Sequence, residues 1–257
     1  MESPPITELA DKTAAQSNAL METGHADLAP EKIEALRSEV CEFWGLRMPE
    51  AVRRIEAGPG HDSVWNWLSW AECEWLYGWP QAVVEAARDL EIGTALDFGC
   101  GVGEIGIDLA ETLDIPVTFC DLPGEARDFL HWRLGARRLW NTGPVRLPAD
   151  VLDSRERWDA VLAIEVMEHV ADAPAVLRQL QEKAKVACCI SGVLGRTDED
   201  GDPLHIYRKS LLPVFNGKEW GLFRGGGAPW WFVRRRVARA KGLTLLRPDG
   251  SEEAGGD

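Results

Sequence analysis

The sequence lacks an apolar run long enough to cross a bilayer, which needs roughly 20 consecutive apolar residues. Its first residues have neither a basic flank nor an apolar core, so no secretory signal is expected either. We therefore predict that the protein has no membrane partner and is located in the cytoplasm.

Cysteine pairs with metal or redox spacing are also missing. None of the six cysteines forms a C-x-x-C pair, and four of them fall in apolar segments, so we expect them to be reduced and mostly buried. Basic residues are scarce, with 28 Lys and Arg against 42 Asp and Glu, which gives a net charge of −14. Such a charge repels the phosphate backbone, and this argues against a nucleic-acid partner.

Short apolar segments alternate with amphipathic segments through the middle of the chain. The pattern predicts strands over 94–98, 117–120, 145–147, 160–164 and 186–190. It predicts intervening helices over 104–113, 126–134 and 172–183. This alternation favours an α/β fold with a doubly wound, mostly parallel sheet. A helix over 230–241 and a final strand over 243–246 are expected to complete it.

Three parts can be distinguished along the chain. Residues 1–30 have no sustained periodicity and are predicted to be a flexible arm. Residues 31–90 are predicted to form a helical cap, in which five of the 12 tryptophans lie between 64 and 80. Residues 91–257 are predicted to form the core, with an insertion at 193–230 that covers the substrate.

A glycine-rich turn follows the first predicted strand, in the order Asp97-Phe98-Gly99-Cys100-Gly101-Val102-Gly103. Glycine is needed where the backbone takes a positive φ or where a ligand lies against the main chain. Gly101-x-Gly103-x-x-Gly106 by itself fits the nicotinamide dinucleotide fingerprint. Asp97, however, would repel a pyrophosphate and could receive an ammonium group. A nicotinamide-dependent oxidoreductase is further disfavoured because no Tyr-x-x-x-Lys dyad is present.

The segment from Leu96 to Gly103 resembles motif I of class I S-adenosylmethionine (SAM)-dependent methyltransferases. The resemblance implies that SAM is the cofactor and that Asp97 receives its ammonium group. It also implies that the backbone at Gly99 and Gly101 faces the methionine portion.

The same resemblance extends to positions beyond the turn. It implies that Asp121 accepts from the ribose hydroxyls and that Leu122 packs on the adenine. Asp150 and Val151 resemble the position that contacts the adenine amino group, although Asp150 could instead cap its own loop. Glu165 falls where the family lines the methionine side of the cofactor.

Glu165-Val166-Met167-Glu168-His169-Val170 resembles the E-V-L-E-H-V segment of ubiquinone-type O-methyltransferases. This places Glu168 and His169 near the transferred methyl as candidate catalytic residues, with His169 as a general base. The alternative is that His169 caps the next helix or orients a carboxylate.

A divalent metal held by Glu165, Glu168, His169 and His205 is a further alternative, similar to the arrangement in small-RNA 2′-O-methyltransferases. It is not favoured, because Glu165 cannot fully serve both SAM and a metal, and because the acidic charge argues against RNA.

His205, Tyr207 and Trp230 are the candidate substrate contacts. Tryptophan-rich caps offer flat faces to an apolar acceptor, although tryptophans also serve simply as packing. We therefore expect SAM-dependent methyl transfer to a small-molecule acceptor, at an oxygen nucleophile. The remaining alternatives are metal-assisted 2′-O-methylation of RNA, a non-catalytic SAM-binding protein and, least favoured, the nicotinamide-dependent oxidoreductase.

Overall fold

The computed structural model describes residues 29–45, 78–139, 142–191, 209–215, 218–224, 229–247 and 251–253. The predicted arm up to residue 28, most of the tryptophan-rich stretch, and the candidate substrate contacts His205 and Tyr207 lie outside these residues. Among the helices within these ranges, none is long and apolar enough to cross a membrane. The five cysteines in the described ranges are free, and three of them are buried.

Six strands form one sheet in the order β2-β1-β3-β4-β6-β5. They are β1 (Ala95–Phe98), β2 (Val117–Cys120), β3 (Trp158–Ala163), β4 (Ala184–Ile190), β5 (Trp220–Arg224) and β6 (Trp230–Arg234). The first four strands of this order are mutually parallel, and β6 is antiparallel to both of its neighbours. β5 therefore runs in the same direction as β4, and the predicted mostly parallel sheet is confirmed.

In the described part of the chain, helices precede the first strand, connect β1 to β4, and follow the last strand. They are α1 (Ala29–Trp44), α2 (Trp79–Asp89), α3 (Glu104–Leu113), α4 (Glu125–Ala136), α5 (Pro148–Asp153), α6 (Ala173–Lys183) and α7 (Arg235–Lys241). α6 begins as its sequence predicts, because the Asp172 side chain accepts a hydrogen bond from the Ala175 N–H at 3.2 Å and Pro174 lies in the first turn.

Helices cover both faces of the sheet, so successive residues of its strands enter two different cores. In β3, Ala160 and Leu162 pack in one buried cluster, and Val161 and Ala163 pack in the other. Helix α2 contributes apolar residues such as Val83 to the first cluster. The first buried cluster therefore includes residues of the 79–89 helix, which precedes the predicted boundary between cap and core.

The third predicted strand, 145–147, is reduced to one bridge between Arg146 and Cys120. Pro144 and Pro148 flank this segment and have no N–H to donate, so pairing cannot continue in either direction. The final strand predicted over 243–246 is likewise represented by isolated bridges of Leu246.

The helix predicted over 230–241 is wrong for its first half. Residues 230–234 form β6, and only the basic stretch that follows forms α7. Aromatic and β-branched side chains fill this strand, and four of its five residues are buried between β4 and β5. Tertiary pairing thus decides the structure of an apolar run whose periodicity is ambiguous.

Candidate functional site

Acidic residues lie at or just beyond the ends of three adjacent parallel strands. Asp97 is near the end of β1, Asp121 directly follows β2, and Glu165 follows β3. The register pairs Asp97 with Phe119 of β2 and Leu162 of β3, so all three strands end at the same edge of the sheet. Open α/β folds bind their ligands at this edge.

The glycine-rich turn links β1 to α3 by the sharp path that the sequence predicts. Gly99, Gly101 and Gly103 have φ values of +73°, +52° and +83°, which are costly for other residues. The Gly99 N–H donates to the Cys120 carbonyl at 2.7 Å, and the Gly103 N–H donates to the Cys100 carbonyl at 2.7 Å. The turn is thereby fixed against the end of β2.

Asp121 is bound directly to this turn. Its carboxylate accepts from the Gly101 N–H at 2.6 Å and from the Leu122 N–H at 2.6 Å. Burial raises the pKa of Asp121, while these two bonds and the charge of Arg127 act in the opposite direction. A carboxylate held in this way is oriented before any ligand binds.

Asp97 is the most perturbed acid of the site. It is 5% exposed, and burial together with the charge of Asp121 raises its pKa from 3.8 to about 7, against the effect of a hydrogen bond from the Gly106 backbone. A Cβ at Gly106 would lie 2.6 Å from Asp97 Oδ2 and would overlap the Phe119 ring. Gly106 is therefore required for the close approach of α3 to this acid.

The two sequence motifs meet at Gly99. A Cβ on Gly99 would overlap the side chain of Val166, so the segment after β3 packs directly on the glycine turn. Glu165 has a φ of +53°, and its N–H donates to Ser191 Oγ at 2.5 Å. A non-glycine residue in this conformation is strained, and such strain is frequent where a side chain is aimed at a ligand.

Glu168 and His169 lie in different environments. Both belong to the short 3₁₀ helix Met167–His169, in which Glu168 is 4% exposed and His169 is exposed. Within the described part of the chain, no three His, Cys, Asp or Glu side chains form a group that could hold a metal ion. The predicted metal set also needs His205, which lies outside that part.

The predicted adenine contacts differ in their exposure. Leu122 is 67% exposed, which is unusual for a large apolar residue, and Asp150 is exposed on α5. Val151 is fully buried in the core, so its side chain packs there.

Trp230, a predicted substrate contact, is also buried, at 5% exposure. It stacks on Phe232 with ring centroids 6.2 Å apart, which favours a packing role over a substrate contact.

Two residues of the site were missed in the sequence. Ser191, at the end of β4, holds the backbone of Glu165, and Arg133 of α4 donates to the carbonyl of Val102 within the glycine turn. Arg133 could have been noticed as a cation on the otherwise apolar stripe formed by Phe129, Leu130 and Leu134. Its partners are distant in sequence and give no local signal.

Residues 96–188 match the family model of a methyltransferase domain. Similar solved structures include an O-methyltransferase family protein from Burkholderia thailandensis, which is 15% identical with a TM-score of 0.50. The similarity covers 64% of this chain and 57% of that one. Another is the magnesium protoporphyrin IX methyltransferase from Synechocystis PCC 6803, solved with bound SAM, which is 16% identical with a TM-score of 0.48. The similarity covers 77% of this chain and 97% of that one.

These structural similarities concern the fold, whereas the family match concerns the sequence of the segment that carries the site. No curated protein sequence matches the chain. The chain spans little more than half the length of the Burkholderia protein. The segment that carries the glycine turn and the residues after β3 is therefore similar in sequence to a methyltransferase domain.

Proposed function

We propose that the protein transfers the methyl group of SAM to an oxygen atom of a small-molecule acceptor. The observation that carries this proposal is a pair of acids, the buried Asp97 and the partly buried Asp121, beside a glycine turn with positive φ angles. SAM brings a positively charged ammonium group, which the carboxylate of Asp97 would attract. A pyrophosphate would add negative charge where two carboxylates already repel each other.

The residues after β3 are proposed to serve the reacting centre. SAM supplies a methyl group on a positively charged sulfur, and transfer to a hydroxyl requires alignment, exclusion of water and loss of the hydroxyl proton. Glu165, aimed by Ser191, would line the methionine portion. His169 is exposed and has a side chain suited to accept the proton. Glu168, which is buried in the same 3₁₀ helix, would support His169 in this role.

The acceptor is proposed to be a small molecule. A net charge of −14 would repel the phosphates of a nucleic acid. His205 and Tyr207, outside the described residues, remain candidate contacts for this acceptor.

Isothermal titration with SAM, its demethylated product S-adenosylhomocysteine and NAD tests the proposal. We expect the first two to bind and NAD not to bind. The variant Asp121→Asn should bind SAM more weakly, whereas Asp159→Asn, on β3 and away from the glycine turn, provides a matched control. Binding of NAD in preference to SAM would contradict the assignment.

A further inference from the structure

Helix α1 packs on the glycine turn although it lies more than 50 residues away in sequence. Leu36 and Val40, each 1% exposed, pack in one cluster with Val102 of the turn and Phe129 of α4. Helix α1 therefore covers one wall of the glycine turn.

Polar contacts fix both ends of α1. Lys32 Nζ lies 3.1 Å from Asp108 Oδ1 on α3, and the Trp44 indole N–H donates to Glu125 Oε1 on α4 at 2.8 Å. Burial raises the pKa of Asp108, and the charge of Lys32 opposes this effect. The helix is thus docked along its whole length by side chains that need specific partners.

Arg133 joins α1 to the turn at the centre of this contact. Its guanidinium is 1% exposed, and Nε donates to Glu39 Oε2 of α1 at 2.7 Å. Nη2 pairs with Glu104 Oε1, at the start of α3, at 2.7 Å, and Nη1 donates to the Val102 carbonyl at 2.5 Å. The rigid fork of donors in arginine allows one side chain to hold all three elements.

Val102 lies between Gly101 and Gly103, whose positive-φ backbone has little conformational restraint of its own. The Gly99 and Cys100 N–H groups anchor the start of the turn to the Cys120 carbonyl, and two further bonds from outside restrain it next to Val102. Asp121 accepts from the Gly101 N–H on one side, and Arg133 donates to the Val102 carbonyl on the other. Losing either bond should widen the range of conformations that the empty turn adopts, which raises the entropic cost of binding.

We propose that Arg133 is a positioning residue for cofactor binding, which couples the docking of α1 to the conformation of the glycine turn. This inference rests on the proposed SAM-dependent function. Because coupling between two sites is reciprocal, contacts of α1 strengthen SAM binding, and SAM binding in turn reduces the opening of α1.

Glu39 is the most suitable residue for a test, because it touches Arg133 but lies on α1, outside the cofactor site. Glu39→Gln keeps the size of the side chain and removes the charge that pairs with Arg133 and Arg137. Arg137 retains its second partner, Glu111, at 2.8 Å. Glu34→Gln, at an exposed position of the same helix, is the matched control.

SAM affinity is measured by isothermal titration at a temperature at which all variants are folded by circular dichroism. We expect Glu39→Gln to bind SAM about tenfold more weakly, within the usual range of coupling between sites, and Glu34→Gln to bind it as the wild type does. Arg133→Lys keeps the charge but cannot hold three partners at once, so its affinity should fall at least as far.

Hydrogen exchange distinguishes positioning from a purely structural role. In the wild type, saturating SAM should slow amide exchange in α1, and in Glu39→Gln at saturation this slowing should be lost. A lower unfolding midpoint for Glu39→Gln, with wild-type affinity and wild-type slowing of exchange, would overturn the inference and leave the proposed function intact. Failure of the wild type to bind SAM would instead reject the proposed function.

Discussion

Replacing Asp97 by asparagine should stabilise the ligand-free protein, and by more at pH 8 than at pH 5. The pKa of Asp97 is raised from 3.8 to about 7 in the folded state, so the folded protein holds a proton that the unfolded chain releases. The stability that this proton contributes is fully present below pH 3.8 and is lost as the pH rises through about 7. Linkage makes this loss about 2.5 kcal/mol between pH 5 and pH 8.

Urea unfolding of the ligand-free proteins, followed by circular dichroism at both pH values, measures this effect. The asparagine side chain has no proton to lose, so the stability difference between variant and wild type should increase by about 2.5 kcal/mol from pH 5 to pH 8. A difference that stays constant would show that burial does not hold the proton on Asp97, and would refute the reasoning.

Asp114→Asn is the control for this experiment. Asp114 is exposed at the end of α3 and has a φ of +52°, which asparagine tolerates. This variant reports the effect of losing one surface carboxylate without changing the site.

In the wild type, a proton on Asp97 competes with the ammonium group of SAM, so SAM affinity should fall below pH 7, and Asp97→Asn should remove that pH dependence.

The remaining predictions concern packing, the ribose contact and the proton acceptor. Gly106→Ala should lower the free energy of unfolding by about 1 to 3 kcal/mol in urea, because the added methyl would meet Asp97 and Phe119. Gly135→Ala, where a Cβ meets nothing within 4 Å, should not be destabilising. Asp121→Ala should weaken SAM binding by about 1.5 to 3 kcal/mol in titration calorimetry, and unchanged affinity would remove Asp121 from the ribose site. His169→Ala should lower kcat by about 10² to 10⁴ with nearly unchanged SAM affinity, and unimpaired turnover would exclude the base. The wild type should keep full activity in a chelator, whereas loss of turnover there would favour the metal alternative.

The sheet and its glycine turn could be predicted because their signals are local. Each strand from β1 to β4 is a short apolar run between helical patterns, and the turn at Gly99 to Gly103 needs residues that can take a positive φ. The packing of Val166 on Gly99 also follows from topology, since adjacent parallel strands end at one edge.

The parts that could not be predicted depend on contacts between distant residues. Arg133 is 94 residues from Glu39 in sequence, and nothing near either residue indicates the partner. Residues 230–234 have no polar alternation to distinguish a strand from a helix, and pairing with β4 and β5 on both sides decides the outcome. The strained backbone at Glu165 likewise depends on Ser191, which the next strand supplies.

The two prolines around Arg146 have a consequence for the behaviour of the protein in solution. Next to β2, the sheet continues only as a single bridge at Arg146, because Pro144 and Pro148 have no N–H groups with which to extend the pairing with β2. An unpaired strand edge is otherwise a template on which a second chain can add by backbone hydrogen bonding. The segment at 145–147 therefore presents only a very short edge to a second chain, and a very short edge strand is one way in which folded proteins limit intermolecular strand addition.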